Sequence, residues 1–563
     1  MTIRYANHNF LTDEDLKVHL LGLWPCIELK DTELKEKFRK ETGRSFLGGD
    51  ELISYSQSLV SKGMNFDELE EEIERDLQDP NKSGLKNIIF KKTSTGIGRG
   101  HSLGGLSGVV LGISGTKMID SGLTGLVASR SLVTSSRRRE TSVEEIVIPT
   151  ALVYKEELLK EYLKTSCEVF ELSSQFKEKF KKLGGIETFN KLIPYNNPAD
   201  LFIVMPLDTL STLAFEVDYD KNNPNGRFVP KEIHSLVNKF QNLTERAGME
   251  IMYKQRKRVP RDTYLHYTVF KDPSLKSSAL EEAEMRGMPL GPLVIESSSR
   301  FTPEFLKQFE KLKKLSEANM QISKPQELAE KALHYMYCLR NFVGEYNENA
   351  RVKILDSLSW RVWSEQKRHA TLRQNVESIY SASERASRKM QELWPSIKEA
   401  YSKHSEESPA DLGNMIEKLE EIMVIDERMK NQPELLVPYI YFTGKQLELF
   451  RKMTNSGISA RDALYIVPKN IRVRTLENYD LINLIDLELP LRLCNTCEPE
   501  RKASSWKKRD AIANVMPELD YLLYPKCSVG FCTEGVYCEH LTGRREYNKE
   551  LHEQTKKSML NID

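Results

Sequence analysis

The sequence FKEKFKKLGGIE at residues 176–187 has a counterpart, LELFRKMTNSGI, at residues 447–458. Each stretch is typical of the end of a charged amphipathic helix that stops at glycine. A proline, Pro194 or Pro468, lies about ten residues further on in each case. The recurrence of this pattern indicates an internal repeat.

The elements predicted around the two stretches follow a similar order. The first series has a helix at 154–181, an apolar strand at Leu201–Met205, a turn-rich loop and a helix around Pro230–Phe240. The second series has a helix at Pro433–Lys452, an apolar passage at 463–474 and helices at Leu476–Leu489 and Ser505–Leu523. We therefore expect a tandem duplication whose two copies have diverged.

Composition limits the classes of function. A length of 563 residues corresponds to about three or four domains of roughly 150 residues. Lysine plus arginine and aspartate plus glutamate are equal, at 82 residues each. Since a general nucleic-acid binder needs a field of one sign, we expect no nucleic-acid partner.

The first residues and the least polar stretch indicate where in the cell the protein is expected. Residues 1–24 mix charged with apolar residues, unlike a signal peptide. Leu103–Val127 contains frequent Gly and Ser and is interrupted by Lys117 and Asp120, which disfavours a membrane span. These patterns predict a cytoplasmic protein without a membrane partner.

Helical periodicity predominates elsewhere. It predicts helices at Asp31–Lys40 and Phe66–Leu77, hence a helical N-terminal region, and at Phe305–Leu315, Glu327–Asn341 and 350–390. The Gly-rich run at 96–105 permits either a phosphate cradle or close packing of two elements. A dinucleotide fingerprint is disfavoured because only Ile88–Phe90 gives a strand before it.

The segment at 360–381, WRVWSEQKRHATLRQNVESIYS, resembles the signature of the flavin-dependent thymidylate synthases, the ThyX family. Arg368 and His369 match its first two positions, and Asn375 and Ser378 match a later Asn and Ser. Ala370 stands where the signature has a second Arg, and Val376 where it has Glu.

Further similarities follow in the family's order. They are the Gly, Ala-Arg, Leu-Pro passage at 457–468, Leu491-Arg492, the helix Ser504–Arg509 and the Cys-rich stretch 525–538. The first half resembles the same plan more faintly at Gly100-His101-Ser102, Thr134–Arg139 and Lys231–His234.

The resemblance implies a reductive methylation of dUMP, in which NADPH reduces FAD and methylenetetrahydrofolate supplies the carbon. It implies flavin contacts for Arg368, His369 and Asn375, with His101, Ser102 and Arg138 in the first half. It also implies nucleotide contacts for Ser378, Arg492 and Arg509. The planar guanidinium group of arginine can donate two parallel hydrogen bonds to a phosphate, which suits both the dUMP phosphate and the FAD pyrophosphate. The alternatives are an exposed basic pair for Arg368-His369, a structural turn histidine for His101 and a surface arginine for Arg492.

Five of the eight cysteines lie within 494–538. Cys494 and Cys497 have the spacing of a zinc knuckle, and Cys527, Cys532, Cys538 and His540 add soft ligands. The pattern favours a structural zinc, with reduced buried thiols as the alternative.

We therefore predict an α/β (α+β) chain with two ThyX-like repeats, each a small sheet flanked by long helices. The predicted parts are a helical N-terminal region at 1–85, a degenerate first repeat at 86–285, a second repeat with the Cys-rich end at 286–545 and a tail at 546–563. The leading function is that of a flavin-dependent thymidylate synthase, assembled as a homodimer. The alternatives are an FAD-dependent enzyme acting on another pyrimidine nucleotide and a non-catalytic, zinc-stabilised nucleotide-binding or assembly protein.

Overall fold

The structure is a computed structural model with a mixed helix and sheet fold. It describes residues 3–5, 8–62, 67–78, 107–126, 130–133, 143–179, 189–223, 228–256, 269–270, 274, 276–287, 290–322, 325–367, 371–403 and 413–529. No helix in these ranges combines the length and apolar character needed to cross a bilayer.

The described strands are β1 Ile3–Tyr5, β2 His8–Thr12, β3 Lys17–Trp24, β4 Ile27–Glu28, β5 Phe46–Leu47, β6 Gly108–Thr116, β7 Arg130–Val133, β8 Val147–Ile148, β9 Pro198–Pro206, β10 Leu293–Ser299, β11 Ala350–Ser359, β12 Arg373–Val376 and β13 Arg472–Asp480.

The described helices are α1 Thr32–Thr42, α2 Gly49–Lys62, α3 Asp67–Gln78, α4 Lys117–Leu126, α5 Glu156–Lys179, α6 Leu207–Asn222, α7 Lys231–Arg246, α8 Glu250–Arg256, α9 Ser278–Met285, α10 Pro303–Met320, α11 Pro325–Tyr346, α12 Trp360–Gln366, α13 Ile379–Lys403, α14 Gly413–Glu420, α15 Glu427–Lys430, α16 Pro433–Asn455, α17 Ala460–Ala463, α18 Leu481–Ile485, α19 Glu488–Arg492 and α20 Pro499–Val515. Short 3-10 turns lie at Val143–Glu145, Thr150–Leu152, Asn347–Asn349, Leu464–Ile466, Pro517–Leu522 and Lys526–Val529.

The residues separate into two compact units, each built from several segments. The first unit contains 1–275, 378–411 and 431–469, and the second contains 276–377, 412–430 and 470–563. The helices α13 and α16 therefore belong to the first unit, although both lie in the second half of the sequence.

The first unit is built on an antiparallel sheet with the order β3-β6-β9-β7. The central strands pair from Gly108 with Pro206 to Thr116 with Pro198. Along β9, Leu201, Ile203 and Met205 are buried whereas the residues between them are exposed. This alternation shows that one face of the sheet carries the core.

The second unit is built on an antiparallel sheet with the order β10-β11-β13-β12. Its central strands pair from Arg351 with Asp480 to Ser359 with Arg472. Helices α10 and α11 pack in its main core, where the Phe305 ring stacks on Phe301 and contacts Phe342.

Long helices complete the first unit. α13 packs against α16, and α16 against α5. A Cβ at Gly444 of α16 would lie 2.5 Å from the Trp394 ring of α13, so the close approach of these helices requires glycine. Lys452 also binds Glu161 of α5 at 2.6 Å.

Several predicted elements are confirmed. The helices expected at 31–40, 66–77, 154–181 and 433–452 are α1, α3, α5 and α16, and the strand expected at 201–205 lies within β9. Gly457, the predicted stop, has a φ of +82°. The prediction for Gly96–Gly105 lies outside the described residues.

The helical N-terminal region is correct for α1 to α3 and wrong for 3–28, where β1 to β4 form. β3 is the edge strand of the first sheet, so the residues before 85 contribute to that sheet. In β3, exposed and half-buried residues alternate from Lys17 to Gly22. The strand forms by pairing with β6, which lies far along the chain, and the local sequence does not contain that partner.

Two further helix predictions are wrong. Residues 350–359, expected in a helix, form β11, in which Val352 and Ile354 are buried between more exposed Arg351 and Lys353. The predicted helix at 476–489 begins inside β13 and is divided between α18 and α19. Strand pairing within the second sheet overrides the helical preference of these charged segments.

Candidate functional site

A basic cavity of about 430 Å³ opens in the first unit. Helix α7 supplies one face of it through residues at helical spacing, and α6 and α17 supply most of the rest. The cavity is lined by Glu14, Lys221, Lys231, His234, Ser235, Asn238, Lys239 and Arg461. The lining is therefore mostly cationic or hydrogen-bonding.

Asp220, buried at the end of α6, organises this cavity. Its Oδ2 lies 2.8 Å from His234 Nε2 and 3.7 Å from Arg461 Nη1. Its Oδ1 accepts the Phe228 N–H at 2.8 Å. One carboxylate thus orients an imidazole and a guanidinium toward the same space.

Arg461 retains capacity for a further anion. Its side chain is 16% exposed and lies 3.9 Å from Asp462 as well as near Asp220. Within the described part of the chain, its buried Nε makes no hydrogen bond. Because an unsatisfied buried donor is costly, this nitrogen is suited to an anionic ligand.

The lysines around the cavity are held by neutral or single acidic partners. Lys231 pairs with Glu14 at 2.8 Å, and Lys221 donates to the Asn238 side chain at 3.1 Å. Lys239 donates to a backbone carbonyl of the β2–β3 connection. The four cationic side chains Lys221, Lys231, Lys239 and Arg461 face three carboxylates, Glu14, Asp220 and Asp462, which leaves one positive charge in excess. This arrangement suits an anion.

Glu232 anchors α7 beneath the cavity. It is fully buried and accepts hydrogen bonds from Thr116 N at 3.0 Å and Thr116 Oγ1 at 2.6 Å. Burial raises the pKa of Glu232 to about 8, with Asp13 adding repulsion. Burial likewise raises the pKa of Asp13 to about 6. The Glu232 carboxyl joins α7 to the end of β6.

The second unit contains a buried ion network. Glu477 accepts hydrogen bonds from Lys508 Nζ at 2.6 Å and Gln366 Nε2 at 2.7 Å, and Lys508 also lies 2.8 Å from Asp356. Burial alone would raise the pKa of Glu477, but the charges of Lys508 and Arg501 lower it to about 2. The network is largely self-neutralised, which suits a structural role.

Arg492 and Arg509, the predicted nucleotide contacts, have separate partners in the second unit. Arg492 Nε donates to Glu488 at 2.9 Å, and Arg501 shares that carboxylate. Arg509 pairs with Asp520 and lies 4.3 Å from the centre of the Tyr524 ring. The structure does not bring the two arginines to a common partner, and their nucleotide contacts stay a prediction.

Asn375 and Ser378 belong to different units. Asn375 lies on β12, and its Oδ1 is 3.5 Å from the Ala279 N–H at the start of α9. Ser378 is buried, and its carbonyl accepts the Ala382 N–H in the first turn of α13. Asn375 thus accepts a hydrogen bond at the N-terminus of α9, and Ser378 accepts one at the N-terminus of α13. The other predicted ligand contacts, Arg368, His369, His101, Ser102 and Arg138, lie outside the described residues.

The sequence interpretation missed Arg361 on α12. It is 4% exposed and lies 3.6 Å from Glu365, and its three guanidinium nitrogens make no hydrogen bond to any described residue. Its only sequence signal is its place in the signature-like segment, shortly before Arg368. The Asp220–His234 pair was also missed, because its members come from different helices.

The cysteines show no assembled metal centre within the ranges that the structure describes. Cys494 Sγ lies 3.3 Å from Thr496 Oγ1, and Cys527 is buried. Burial raises the pKa of the Cys497 thiol. The other predicted zinc ligands, Cys532, Cys538 and His540, lie outside those ranges, and the zinc stays a prediction.

Comparison with known proteins identifies partial relatives. The chain is 29% identical over 122 residues to a flavin-dependent thymidylate synthase of Thermococcus onnurineus, which covers 21% of this chain and 49% of that protein. It is 27% identical over 123 residues to the enzyme of the same name from Pyrococcus furiosus, covering 21% and 50%. The chain thus spans about half the length of these relatives. No protein-family model matches it.

Solved structures were compared as well. A UMP/dUMP methylase from Streptomyces cacaoi bound with 5-Br dUMP has a TM-score of 0.30 and 10% identity, over 45% of this chain and 99% of that chain. A flavin-dependent thymidylate synthase from Helicobacter pylori, complexed with FAD and dUMP, has a TM-score of 0.25 and 15% identity, over 41% and 97%.

Proposed function

The chain is a divergent relative of the flavin-dependent thymidylate synthases, and on this premise we propose that it is a nucleotide-modifying enzyme. The proposed reaction is the reductive methylation of dUMP, with methylenetetrahydrofolate as carbon donor, FAD as the redox cofactor and NADPH as reductant. The observation that carries the proposal is the basic cavity of the first unit.

The cations and hydrogen-bond donors of this cavity suit a nucleoside monophosphate. The one positive charge in excess attracts a phosphate monoester, which carries a charge of about −1.5 to −2 at neutral pH. Arg461 offers the unsatisfied Nε donor, and His234 is already oriented by Asp220. Arg461 also lies in the passage at 457–468 that resembles the family.

We propose that the two sheets are the cores of two diverged repeats. One constant offset in residue number relates β6 to β11, and it matches Val110 with Lys353 and Thr116 with Ser359. The edge strands β3 and β10, which pair with β6 and β11, each have a bulge at the equivalent position. The bulge in β3 comes just before Gly22, which pairs with Val110, and the bulge in β10 comes just before Glu296, which pairs with Lys353. Bulges are retained within protein families, so a bulge at matching positions supports common descent.

Two further correspondences support the repeats. A second constant offset relates β9 at 198–206 to β13 at 472–480, and it also relates Pro194 to Pro468, which form an antiparallel bridge within the first unit. Glu500 on α20 accepts hydrogen bonds from Ser359 N at 2.6 Å and Oγ at 2.8 Å. Glu232 accepts the same two hydrogen bonds from the backbone N–H and hydroxyl of Thr116, which is the residue equivalent to Ser359.

The proposed flavin contacts in the second unit are Arg368, His369 and Asn375. In the first unit the proposed contacts are His101, Ser102 and Arg138. Arg361 fits such a group, since its buried guanidinium has donors without acceptors among the described residues and a flavin pyrophosphate has acceptors. Bound flavin would supply the hydride. The proposed assembly is a homodimer.

One observation favours a different class of function. Ala370 and Val376 replace the second Arg and the Glu of the family's signature. If flavin binding has been lost with them, the chain is the non-catalytic nucleotide-binding or assembly protein. Retention of flavin with a different nucleotide would give the FAD-dependent enzyme acting on another pyrimidine nucleotide.

Calorimetry with dUMP and with deoxyuridine tests the cavity. We expect saturable binding of dUMP and no binding of deoxyuridine, because the phosphate supplies the recognised charge. Arg461→Ala should weaken dUMP binding at least about tenfold, and added salt should weaken it further. Arg428→Ala, which removes an exposed arginine paired with Asp426, is the matched control. Equal binding of both compounds, or unchanged affinity in Arg461→Ala, contradicts the assignment.

A further inference from the structure

A second cavity, of about 780 Å³, opens between α10 and α11 in the second unit. We call it the α10–α11 cavity, because all of its described lining residues belong to these two helices. None of the proposed nucleotide or flavin contacts lies on either helix. The volume is that of a small-molecule site.

The floor of the α10–α11 cavity is apolar. Leu312 and Phe342 are buried in the main core of the second unit, and Leu315 packs against that core. On α11 the lining extends from His334 to Tyr346, about 18 Å at a rise of 1.5 Å per residue. The cavity therefore suits an elongated ligand with an apolar body.

The two helices run antiparallel, which assigns the polar lining residues to opposite ends of the cavity. Phe305 near the start of α10 contacts Phe342 and Tyr346 near the end of α11. Asn319 near the end of α10 donates to the Lys331 carbonyl near the start of α11, at 3.4 Å. Lining residues late in α10 therefore lie beside those early in α11.

Cationic side chains are concentrated at one end. Lys311 and Lys314 of α10 lie at the same end as His334 and Cys338 of α11, and His334 Nε2 is 3.7 Å from Cys338 Sγ. Lys311 donates to the neutral Gln308 amide at 3.0 Å. Within the part of the chain that the structure describes, neither lysine forms an ion pair. Both ammonium groups therefore remain available to an anion.

The opposite end is formed by Asn341 and Glu345. Glu345 supplies the only carboxylate among the described lining residues, so two lysines face one glutamate. Glu310 and Glu317 of α10 are exposed and do not line the cavity. The one positive charge in excess matches a monoanion.

We propose that the α10–α11 cavity binds a carboxylate with a long apolar body. The carboxylate pairs with Lys311 and Lys314, where each ammonium donates a charge-assisted hydrogen bond. The apolar body covers Leu312, Leu315 and Phe342 and removes them from water, which supplies most of the affinity.

Calorimetry with decanoate and with decan-1-ol tests the recognition of charge. We expect saturable binding of decanoate at micromolar concentration, and binding of the alcohol at least about tenfold weaker. Lys311→Ala/Lys314→Ala should weaken decanoate binding at least about tenfold. Lys307→Ala/Lys331→Ala, which removes two exposed lysines of the same helices, is the matched control and should leave it unchanged. Arg461→Ala should also leave it unchanged, because Arg461 lines the basic cavity.

Three results would overturn the proposal, provided that circular dichroism shows the variants to be folded. They are absence of decanoate binding, equal affinity for the alcohol, and unchanged affinity in the Lys311→Ala/Lys314→Ala variant.

Protection of the Cys338 thiol locates the ligand without any substitution. Iodoacetamide is reacted with the full chain, and alkylation of each cysteine is followed by mass spectrometry of peptides. Saturating decanoate should slow alkylation of Cys338 at least about tenfold and leave that of exposed Cys26 unchanged. Equal rates at Cys338 with and without decanoate contradict the proposal, as does equal slowing at both thiols. The inference does not rest on nucleotide binding, so the dUMP and decanoate titrations can fail separately.

Discussion

Replacing Glu232 by glutamine probes the buried joint between α7 and β6. Glu232 is fully buried, and its two oxygens accept hydrogen bonds from the Thr116 backbone N–H and hydroxyl. A glutamine amide keeps an acceptor for the N–H and offers a donor to the hydroxyl. The substitution therefore removes a titrating group while it retains the shape and both contacts of the joint.

Burial raises the pKa of Glu232 from 4.5 to about 8. A carboxyl with a raised folded-state pKa holds its proton more tightly in the folded chain. Its contribution to stability is complete below pH 4.5 and is lost as pH rises to about 8. Within this window the local free energy of unfolding falls by about 1.4 kcal/mol per pH unit. Asp13, with a pKa of about 6, contributes mainly to the lower part of the window.

Hydrogen exchange of peptides from β6 and α7, corrected for intrinsic exchange, measures this slope between about pH 6.5 and 7.5. We expect Glu232→Gln to flatten it by about 1.4 kcal/mol per pH unit. Glu245→Gln, at an exposed position of the same helix, should leave the slope unchanged. An identical slope in the parent and Glu232→Gln would refute the reasoning, because it would mean that Glu232 is ionised in the folded chain.

Three further outcomes are expected. Lys508→Met should destabilise the second unit by about 3–5 kcal/mol in urea unfolding, because the buried carboxylates of Asp356 and Glu477 lose the cation that they share; a loss below about 1 kcal/mol contradicts the network. Arg361→Leu should lower FAD affinity at least about tenfold in fluorescence titration without lowering the thermal midpoint, and unchanged affinity removes Arg361 from the flavin site. Metal analysis of the purified chain should find one zinc that Cys497→Ser loses, and equal zinc in both would exclude Cys497 as a ligand.

The sequence predicted the long helices and β9 of the first sheet, but neither the edge strand β3 nor β11, a central strand of the second sheet. α5 and α16 have a strong amphipathic period over many turns, and 201–205 is an uninterrupted apolar run. By contrast, β11 alternates charged and apolar residues over a short stretch beside long charged helices. Its strand state depends on pairing with β13, which lies far along the chain, and local periodicity does not contain that partner.

The candidate site was predictable only in part. The passage around Arg461 was found through its resemblance, whereas its companions were not. Asp220 lies at the end of α6 and His234 on α7, and neither has a distinctive sequence neighbour. Only the folded arrangement places them around one cavity, and only it shows that Arg492 and Arg509 already have acidic partners.

Tritium release from dUMP labelled at C5 tests the proposed reaction most directly, because replacement of that hydrogen by carbon must free it. The assay contains the full chain, FAD, NADPH and methylenetetrahydrofolate. We predict release of tritium to water that requires methylenetetrahydrofolate and falls at least about tenfold in Arg461→Ala but not in Arg428→Ala. No release from a chain that binds both FAD and dUMP would contradict the proposed reaction.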